Sequence, residues 1–276
     1  MLNVTRIGFS RRLVSLSHVL TWQLGMRFPN AIPLVFVVGF PKSGTTWLCQ
    51  LAAGYLQLPF PRLSLLPVGF PAVVHGHELV DRRYPYCIYV MRDGRDAMTS
   101  LYYHVRRVLL RGERRWLPQK YHEVFLDSGD MEKVRKQFPR FLEIQMQRPL
   151  GARCSWAKHV QSFLQIEHPK LVMLKYEDML TDGANVLARE LSKLNGAEPD
   201  LQRAQFLMND YSFTRLSGRK QNAEDKSSFL RKGVAGDWKS HFTREAGEIF
   251  DHHCGEALIA AGYEKDRNWL VGLSDS

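Results

Sequence analysis

The chain of 276 residues is long enough for one large α/β domain, and its 45% apolar and 24% charged residues are typical of a soluble globular protein. Its net charge of +10 favours anionic partners such as nucleic acid, anionic lipid or phosphorylated ligands. The four cysteines are scattered without a CxxC pair, which argues against a disulfide scaffold or a zinc site and indicates a reducing, cytoplasmic environment. No linker or repeat divides the chain, so residues 1–276 are predicted to form a single domain.

Residues 1–33 are predicted to form an N-terminal helical extension. Four leucines recur in it at helical spacing, namely Leu13, Leu16, Leu20 and Leu24. This stripe favours a surface helix that packs on the domain. The stretch 13–26 is too short and too polar to span a bilayer, and no signal-peptide cleavage site follows it. A helix that lies on a membrane surface, or that covers a substrate, is the alternative.

Residues 35–51, with the sequence VFVVGFPKSGTTWLCQL, contain a strand, a glycine turn and a helix. The apolar run at the start predicts a strand that is buried on both faces. Gly39 and Gly44 bracket a turn whose N–H groups can hold a phosphate. Ordinary nucleotide loops have a lysine directly after the second glycine, where this chain has Thr45. Its lysine, Lys42, lies inside the turn, which suits a single 5′-phosphate with a charged leaving group rather than a triphosphate.

The segment PKSGTTW resembles the 5′-phosphosulfate loop of the sulfotransferases that use 3′-phosphoadenosine 5′-phosphosulfate (PAPS). The resemblance implies an α/β domain of the P-loop type, with a parallel sheet flanked by helices. It implies PAPS as the cofactor, 3′-phosphoadenosine 5′-phosphate (PAP) as the product, and no requirement for a metal ion. The cofactor-binding residues that it implies in this loop are Lys42, Ser43, Gly44, Thr45, Thr46 and Trp47.

Two histidines occur close together in the extended segment 73–80, VVHGHELV. His75 and His77 lie two residues apart and therefore share a face of an extended chain. They could be metal ligands, although no third ligand has suitable spacing, or one of them could be a general base for a hydroxyl acceptor. In the sulfotransferases a catalytic histidine lies between the phosphate loop and the next buried strand. The resemblance therefore favours His77 as the base and leaves His75 as the second choice.

Residues 86–91 predict the next buried strand, and Arg92 lies at its carboxyl end, where open α/β sheets bind ligands. The segment RDGRDAMTSLYYH resembles the family's 3′-phosphate segment, in which an arginine closes the strand and a serine follows eight residues later. Arg92 and Ser100 keep that interval, so the resemblance implies that both bind the 3′-phosphate. Arg95 and Asp96 are interpreted as largely solvated ion pairs.

Residues 105–147 combine a basic cluster with aromatic residues and few strand signals. A nucleic-acid interface is disfavoured, because Trp116, Tyr121 and Phe125 do not form the pattern of a stacking platform. The segment is predicted to be a helical cover of the acceptor site.

The C-terminal half extends the resemblance. A helix in residues 155–164 and a buried strand at 171–174 precede the sequence YED, which the family shares and which implies that Tyr176 lies near the adenine. Phe213 is the expected stacking partner of the adenine. The signature RKGxxGDWK implies phosphate contacts from Arg231, Lys232 and Gly233.

Two further helices are predicted, at residues 182–195 and 245–262. The sequence from Lys239 resembles the family's dimer motif KxxxTVxxxE, with Thr243 and Glu248 in register and Arg244 in place of the valine. The prediction therefore leaves both a monomer and a homodimer open.

These features predict a PAPS-dependent sulfotransferase that acts by in-line displacement. His77 would take the proton of a hydroxyl or amine acceptor, and Lys42 would stabilise charge on the bridging oxygen. The acceptor could be a small molecule, a sugar or a lipid. The alternatives are a P-loop small-molecule kinase and a basic, non-catalytic polyanion-binding protein; the first is disfavoured by the missing lysine after Gly44.

Overall fold

A computed structural model of the chain describes residues 4–112, 117–125 and 131–275, with side chains from residue 12 onward in the first segment and from residue 134 in the last. Its centre is a parallel four-stranded sheet with the strand order β2-β1-β3-β4. The strands are β1 (Leu34–Gly39), β2 (Ala72–Gly76), β3 (Tyr86–Met91) and β4 (Leu171–Lys175). The predicted α/β class with a parallel sheet flanked by helices is confirmed.

The helices of the described residues connect and flank these strands. They are α1 (Val4–Arg27), α2 (Thr45–Leu56), α3 (Gly94–Leu110), α4 (Gln119–Val124), α5 (Met131–Gln147), α6 (Trp156–Leu164), α7 (Tyr176–Asn195), α8 (Leu201–Asp210), α9 (Phe213–Ser217) and α10 (Arg244–Ala260). The described residues also contain 3₁₀ turns at Asp237–Ser240 and Arg267–Leu270. No described helix has an apolar stretch of the length that crossing a bilayer requires.

The sheet is buried on both faces, as the apolar run in β1 predicts. Every residue of β1 is buried, and alternate side chains enter two separate clusters. Phe36 and Val38 join the cluster that contains side chains of α1, α3, α5, α6 and α10. Val35 and Val37 join the cluster formed with α2, α7 and α8. The carboxyl ends of β1 and β3 are therefore adjacent and point to the same edge of the sheet, where α/β proteins bind ligands.

The N-terminal helix packs on the domain, but through the opposite face from the one that the leucine stripe suggested. Leu16 is 54% exposed, and Leu13 and Leu20 are exposed as well. The inward face of α1 instead contains Ser17, Thr21 and Gly25, which are small enough to let the helix approach β1 closely. A Cβ on Gly25 would lie 2.5 Å from Leu34 Cδ1, so a larger residue would push α1 away from the sheet.

Three other segments differ from the expectations. Strand β2 ends at Gly76, so His77 lies just beyond it rather than inside it. Helix α7 begins at Tyr176 and has a non-helical residue at Asp182, where the sequence placed its start. Most of the described residues of 105–147 belong to α3, α4 and α5. Tyr121 is fully buried in the core, whereas Trp116 lies outside the described residues.

The segment that resembles a dimer motif makes contacts within this chain. Thr243 caps α10 by accepting a hydrogen bond from the Ala246 N–H at 3.3 Å. Arg244 pairs with Asp275 at 3.0 Å. The choice between a monomer and a homodimer stays a prediction.

Candidate active site

The glycine turn after β1 has a backbone that few residues tolerate. Gly44 has φ +91°, and a Cβ there would lie 2.8 Å from the ring of Tyr176. Lys42 also has a positive φ, of 72°, although it carries a side chain. The buried hydroxyl groups of Ser43 and Thr45 have no hydrogen-bond partner among the described residues. Since buried polar atoms are normally paired, these two hydroxyls are available to a ligand in the turn.

Lys42 lies among other cations. Its ammonium contacts the face of the Phe229 ring, 4.0 Å from the centroid. Burial, together with repulsion from Arg107, Arg92 and Arg231, lowers the pKa of Lys42 to about 7. The turn therefore combines a concentration of positive charge with unpaired hydroxyl groups. Both are features of an anion-binding site.

Arg92 connects the turn to the distant RKG segment. Its Nη1 donates to the Lys42 carbonyl at 3.0 Å, and its Nη2 donates to the Val234 carbonyl at 3.1 Å. Its guanidinium also lies 4.4 Å from the centroid of the Tyr176 ring. The two phosphate segments that the sequence predicts separately thus meet at one side chain.

The cations of the RKG segment are paired with carboxylates. Arg231 forms ion pairs with Asp237 and, at 2.5 Å, with Glu224, and Lys232 Nζ lies 2.5 Å from Asp237 Oδ1. Burial opposes ionisation of Asp237, but hydrogen bonds from His241 and from both cations outweigh it and lower the pKa of Asp237. An incoming phosphate therefore has to share these cations with two carboxylates.

Gly233 and Phe213 pack against each other. Gly233 has φ +66°, and a Cβ at this position would lie 2.4 Å from Phe213 Cδ2. Trp47 lies edge-on to Tyr176, with centroids 5.8 Å apart, and donates from Nε1 to the Tyr211 carbonyl at 2.9 Å. Trp47 and Tyr176 thus lie beside the turn, and Phe213 lies beside Gly233 in the RKG segment.

Ser100 lies on α3 at a spacing that brings it to the face of Tyr103. The Tyr103 ring lies 4.5 Å from the guanidinium carbon of Arg231, so this face of α3 is directed toward the RKG segment. The structure thereby brings together the loop residues, Arg92, Tyr176, Phe213 and Arg231, with Ser100 on the adjoining helix.

The interpretation of Arg95 and Asp96 as solvated ion pairs is wrong, because both side chains are at most 2% exposed. Asp96 accepts hydrogen bonds from the N–H groups of Gly236 and Trp238, at 2.7 and 2.9 Å. Arg95 pairs with Asp93 and Glu264 beneath the ring of Trp238. These side chains fix the GDWK part of the RKG signature, and Gly236, Trp238 and Glu264 are too distant in sequence for these contacts to be anticipated.

His77 lies beside the first residue of the turn. Its Nδ1 is 2.6 Å from the Gly39 carbonyl, and because a carbonyl only accepts, Nδ1 must carry the proton in this contact. The neutral ring then presents an unprotonated Nε2. Burial is the main cause that lowers the pKa of His77, although the hydrogen bond to Gly39 and the nearby Glu78 oppose it.

His75 packs edge-on against His77, with centroids 4.6 Å apart. Burial lowers the pKa of His75 to about 3, with a smaller contribution from His77. Within the described part of the chain, no group of three or more potential ligands could hold a metal ion.

A cavity of about 330 Å³ opens beside the two histidines. Five of its eight lining residues have polar or charged side chains, and the lining comes from three segments: His18 of α1, residues 75–78, and residues 151–153, which include Arg153. His18 Nε2 lies 3.8 Å from Glu78 Oε1. The cavity lining contains none of the described residues of 105–147, so the predicted role of that segment as an acceptor cover stays a prediction.

A family model described as the sulfotransferase domain matches residues 78–262. The chain belongs to the sulfotransferase family. It is accordingly an enzyme of the PAPS-dependent class, as the sequence predicted, rather than a kinase or a non-catalytic polyanion-binding protein.

Curated relatives support the same assignment. Sulfotransferase 1A1 of Bos taurus is 28% identical over 264 residues, which cover 79% of this chain and 81% of the relative. The 3-alpha-hydroxysteroid sulfotransferase of Cavia porcellus is 28% identical over 263 residues, covering 82% and 83%.

Solved structures share the fold of this sulfotransferase. Mouse sulfotransferase SULT7A1, solved in complex with PAP, has a TM-score of 0.60 and 19% identity, with 86% of this chain and 88% of that chain covered. Retinol dehydratase in a complex with retinol and PAP has a TM-score of 0.60 and 19% identity, with 84% and 83% covered.

Several residues around the sulfotransferase site were not identified from the sequence. Phe229, which contacts Lys42, has only its position next to the RKG signature as a signal. Asp237 is part of the GDWK segment, but nothing in the sequence shows that it holds both cations. His159 is fully buried in the core, and its Nδ1 lies 3.1 Å from the Tyr89 hydroxyl.

Proposed function

We propose that this sulfotransferase moves a sulfuryl group from PAPS to a hydroxyl or amine group of an acceptor bound in the cavity beside His77. The contact between His77 Nδ1 and the Gly39 carbonyl, at 2.6 Å, carries the proposal. It orients the imidazole at the edge of the phosphate turn and leaves Nε2 able to accept a proton. A neutral histidine in this tautomer is the form that a general base needs.

The residues of the turn fit an anionic cofactor. The unpaired hydroxyls of Ser43 and Thr45 can donate to phosphate or sulfate oxygens, and the cluster of Lys42, Arg92 and Arg231 supplies opposite charge. PAPS, when bound, supplies the sulfuryl group and a phosphate leaving group. The residues that would hold it are, for the 5′ end, Lys42, Ser43, Gly44, Thr45, Thr46 and Trp47; for the 3′-phosphate, Arg92, Ser100, Arg231, Lys232 and Gly233; and for the adenine, Tyr176 and Phe213.

Lys42 has the chemistry to stabilise the leaving group. An anion in the turn favours the protonated amine, so binding raises the pKa of Lys42 from its low value in the free protein. The resulting ammonium stabilises the negative charge that develops on the bridging oxygen as the sulfur–oxygen bond breaks.

Two observations favour His77 over His75 as the base. The Gly39 carbonyl accepts the Nδ1 proton of His77, which favours the tautomer that leaves Nε2 free to accept a proton. With a pKa of about 3, His75 is a poor proton acceptor compared with an ordinary histidine. His75 instead packs against the His77 ring and helps to orient it.

The side chains around the cavity favour an acceptor with several hydrogen-bonding groups. Its side chains include Glu78 and Arg153 as well as the histidines, and Ala152 is the one aliphatic side chain in its lining among the described residues. Such a surface suits a hydroxylated small molecule, a sugar or the head group of a lipid, because each can satisfy these groups with hydrogen bonds. One relative is named for its action on 3-alpha-hydroxysteroids, so a steroid is the informative comparison.

The test is transfer of label from [³⁵S]PAPS to a panel of sugars, polar phenols and hydroxysteroids, with purified wild type, His77→Gln and His75→Gln. We expect labelled polar products, and His77→Gln to lower turnover by about 10²–10⁴-fold while the PAP affinity measured by calorimetry stays within about twofold. His75→Gln is the matched control and should lower turnover much less than His77→Gln does. Full activity of His77→Gln would refute its role as the base, and absence of both PAP binding and transfer would refute the proposed function.

A further inference from the structure

Eight exposed large apolar side chains lie on α1 and on the loop that packs against it, and we call them the leucine face. Leu66 and Leu63 are 75% and 73% exposed, and Leu16 is 54% exposed. The face consists of Leu13, Leu16, Val19 and Leu20 on α1 and of Leu63, Leu65, Leu66 and Phe70 in the loop 57–71 that precedes β2. Concentrated exposed apolar surface marks a site of association rather than ordinary surface.

The two parts of the leucine face are joined by a buried contact. The Val68 N–H donates to Thr21 Oγ1 at 2.8 Å, and Val68 itself is buried. The loop therefore turns against α1 with Val68 inward, while Leu66 and Phe70 on either side of it are exposed. Because Thr21 lies on the inward face of α1, the exposed residues of helix and loop flank a common seam.

Neither α1 nor the loop 57–71 contains an acidic residue. The first acidic residue of the whole chain is Glu78, so all 28 Asp and Glu residues lie C-terminal to both parts of the leucine face. Arg12, Arg27 and Arg62 are exposed on the helix and the loop. The leucine face thus combines apolar side chains with positive charge and has no carboxylate of its own.

We propose that the leucine face docks on the surface of an anionic phospholipid bilayer. Leucine side chains enter the boundary between head groups and acyl chains, and the arginines attract the anionic head groups. Stable attachment of a protein to a membrane surface requires two such contributions, and this face has both.

The same features disfavour a second copy of the chain as the occupant. A twofold contact through this face would bring two surfaces together that both carry arginines and that offer no carboxylate of their own to pair with them. The face is also dominated by leucine, which is under-represented among the residues that carry protein–protein binding energy. A lipid surface requires neither complementary carboxylates nor a matching shape.

The helix that would contact the membrane, α1, also contributes a side chain to the cavity beside His77. His18 extends from the inward side of α1 into the cavity, whereas Leu16 and Leu20 project from the outward side. Membrane binding itself does not depend on PAPS or on the acceptor, so it can be tested separately from the proposed function.

The experiment is flotation of the purified full chain with vesicles of phosphatidylcholine alone or of phosphatidylcholine with phosphatidylserine. We expect wild type to float with the anionic vesicles, and less so at high salt because screening weakens the charge term. Leu16→Ser/Leu66→Ser should reduce binding about tenfold or more, since two exposed leucines no longer enter the interface. Arg27→Gln/Arg62→Gln should reduce the preference for anionic vesicles.

The matched control is Phe206→Ser/Val271→Ser, which removes two side chains that are 66% and 73% exposed outside the leucine face. Phe206 is on α8, which packs on the opposite side of the sheet from α1. This control should float like wild type, and circular dichroism should show that all variants are folded. The proposal is overturned if wild type binds neither kind of vesicle, if the control loses binding equally, or if light scattering shows a dimer that Leu16→Ser/Leu66→Ser converts to a monomer.

Discussion

Lys42→Met should make the free protein more stable, because it removes a cation that the fold holds in an unfavourable place. The pKa of Lys42 falls from 10.5 to about 7 through burial and the nearby arginines. Each pKa unit corresponds to about 1.4 kcal/mol. The protonated amine therefore lowers the free energy of unfolding by about 5 kcal/mol. Methionine has a similar length and keeps the same positive φ, so the change isolates the charge.

The stability difference between the two proteins depends on pH, because the pKa of Lys42 is lower in the folded state than in the unfolded state. The penalty is complete below pH 7 and disappears as the pH rises to 10.5, so wild type gains stability relative to Lys42→Met over that range. Loss of the cation–π contact with Phe229 offsets about 1 kcal/mol of the gain at low pH. The net gain in the free energy of unfolding is therefore about 4 kcal/mol at pH 6 and about 2 kcal/mol at pH 9.

Urea unfolding of both proteins at pH 6 and pH 9 measures this difference. Lys220→Met, a change of an exposed lysine, is the control and should alter stability by at most about 0.5 kcal/mol. PAP should stabilise wild type more than Lys42→Met, because the anion compensates the charge. A gain that is absent, or that is the same at both pH values, would show that Lys42 is not held as a buried cation.

Three further changes test other parts of the site. Arg92→Lys should weaken PAP binding about tenfold or more in calorimetry, because a single ammonium cannot reach both the Lys42 and the Val234 carbonyls as the guanidinium does; unchanged affinity would contradict the bridging role. Gly233→Ala should destabilise the protein in urea unfolding by about 1–3 kcal/mol more than Gly218→Ala, since both have a positive φ but only Gly233 would also clash with Phe213; equal effects would refute the packing argument. The acid limb of kcat/KM should lie below pH 6.5, because burial lowers the pKa of His77 and the base is lost only as the pH falls through that value; a limb above pH 6.5 would exclude His77 in this state.

Features that depend on neighbouring residues were predictable from the sequence. Strands β1 and β3 and the turn between Gly39 and Gly44 are encoded by contiguous apolar runs and by the glycine spacing. The orientation of α1 was not, because helical periodicity shows which residues share a face and not which face is buried. Here the small residues at Thr21 and Gly25 permit close packing, and the leucines are left outside.

The site was predictable as a set of residues but not as an arrangement. The resemblance named Lys42, Arg92 and Arg231, yet their connection runs through partners as far apart as Lys42 and Phe229. The burial of Arg95 could not be inferred either, because it depends on Trp238 and Glu264 closing over the start of α3. Contacts at such separations follow from the tertiary fold, which local patterns do not contain.

The two hydrogen bonds of Arg92 also determine how variants of this enzyme can be interpreted. Both acceptors are main-chain carbonyls, those of Lys42 and Val234, so the identity of either side chain is irrelevant to the link. Replacement of Lys42 can therefore remove its ammonium while the segments on both sides of the crevice keep their spacing. The hydrogen bonds that hold the two segments together therefore do not depend on the Lys42 side chain. A loss of turnover in a Lys42 variant can be attributed to the missing charge rather than to a displaced loop.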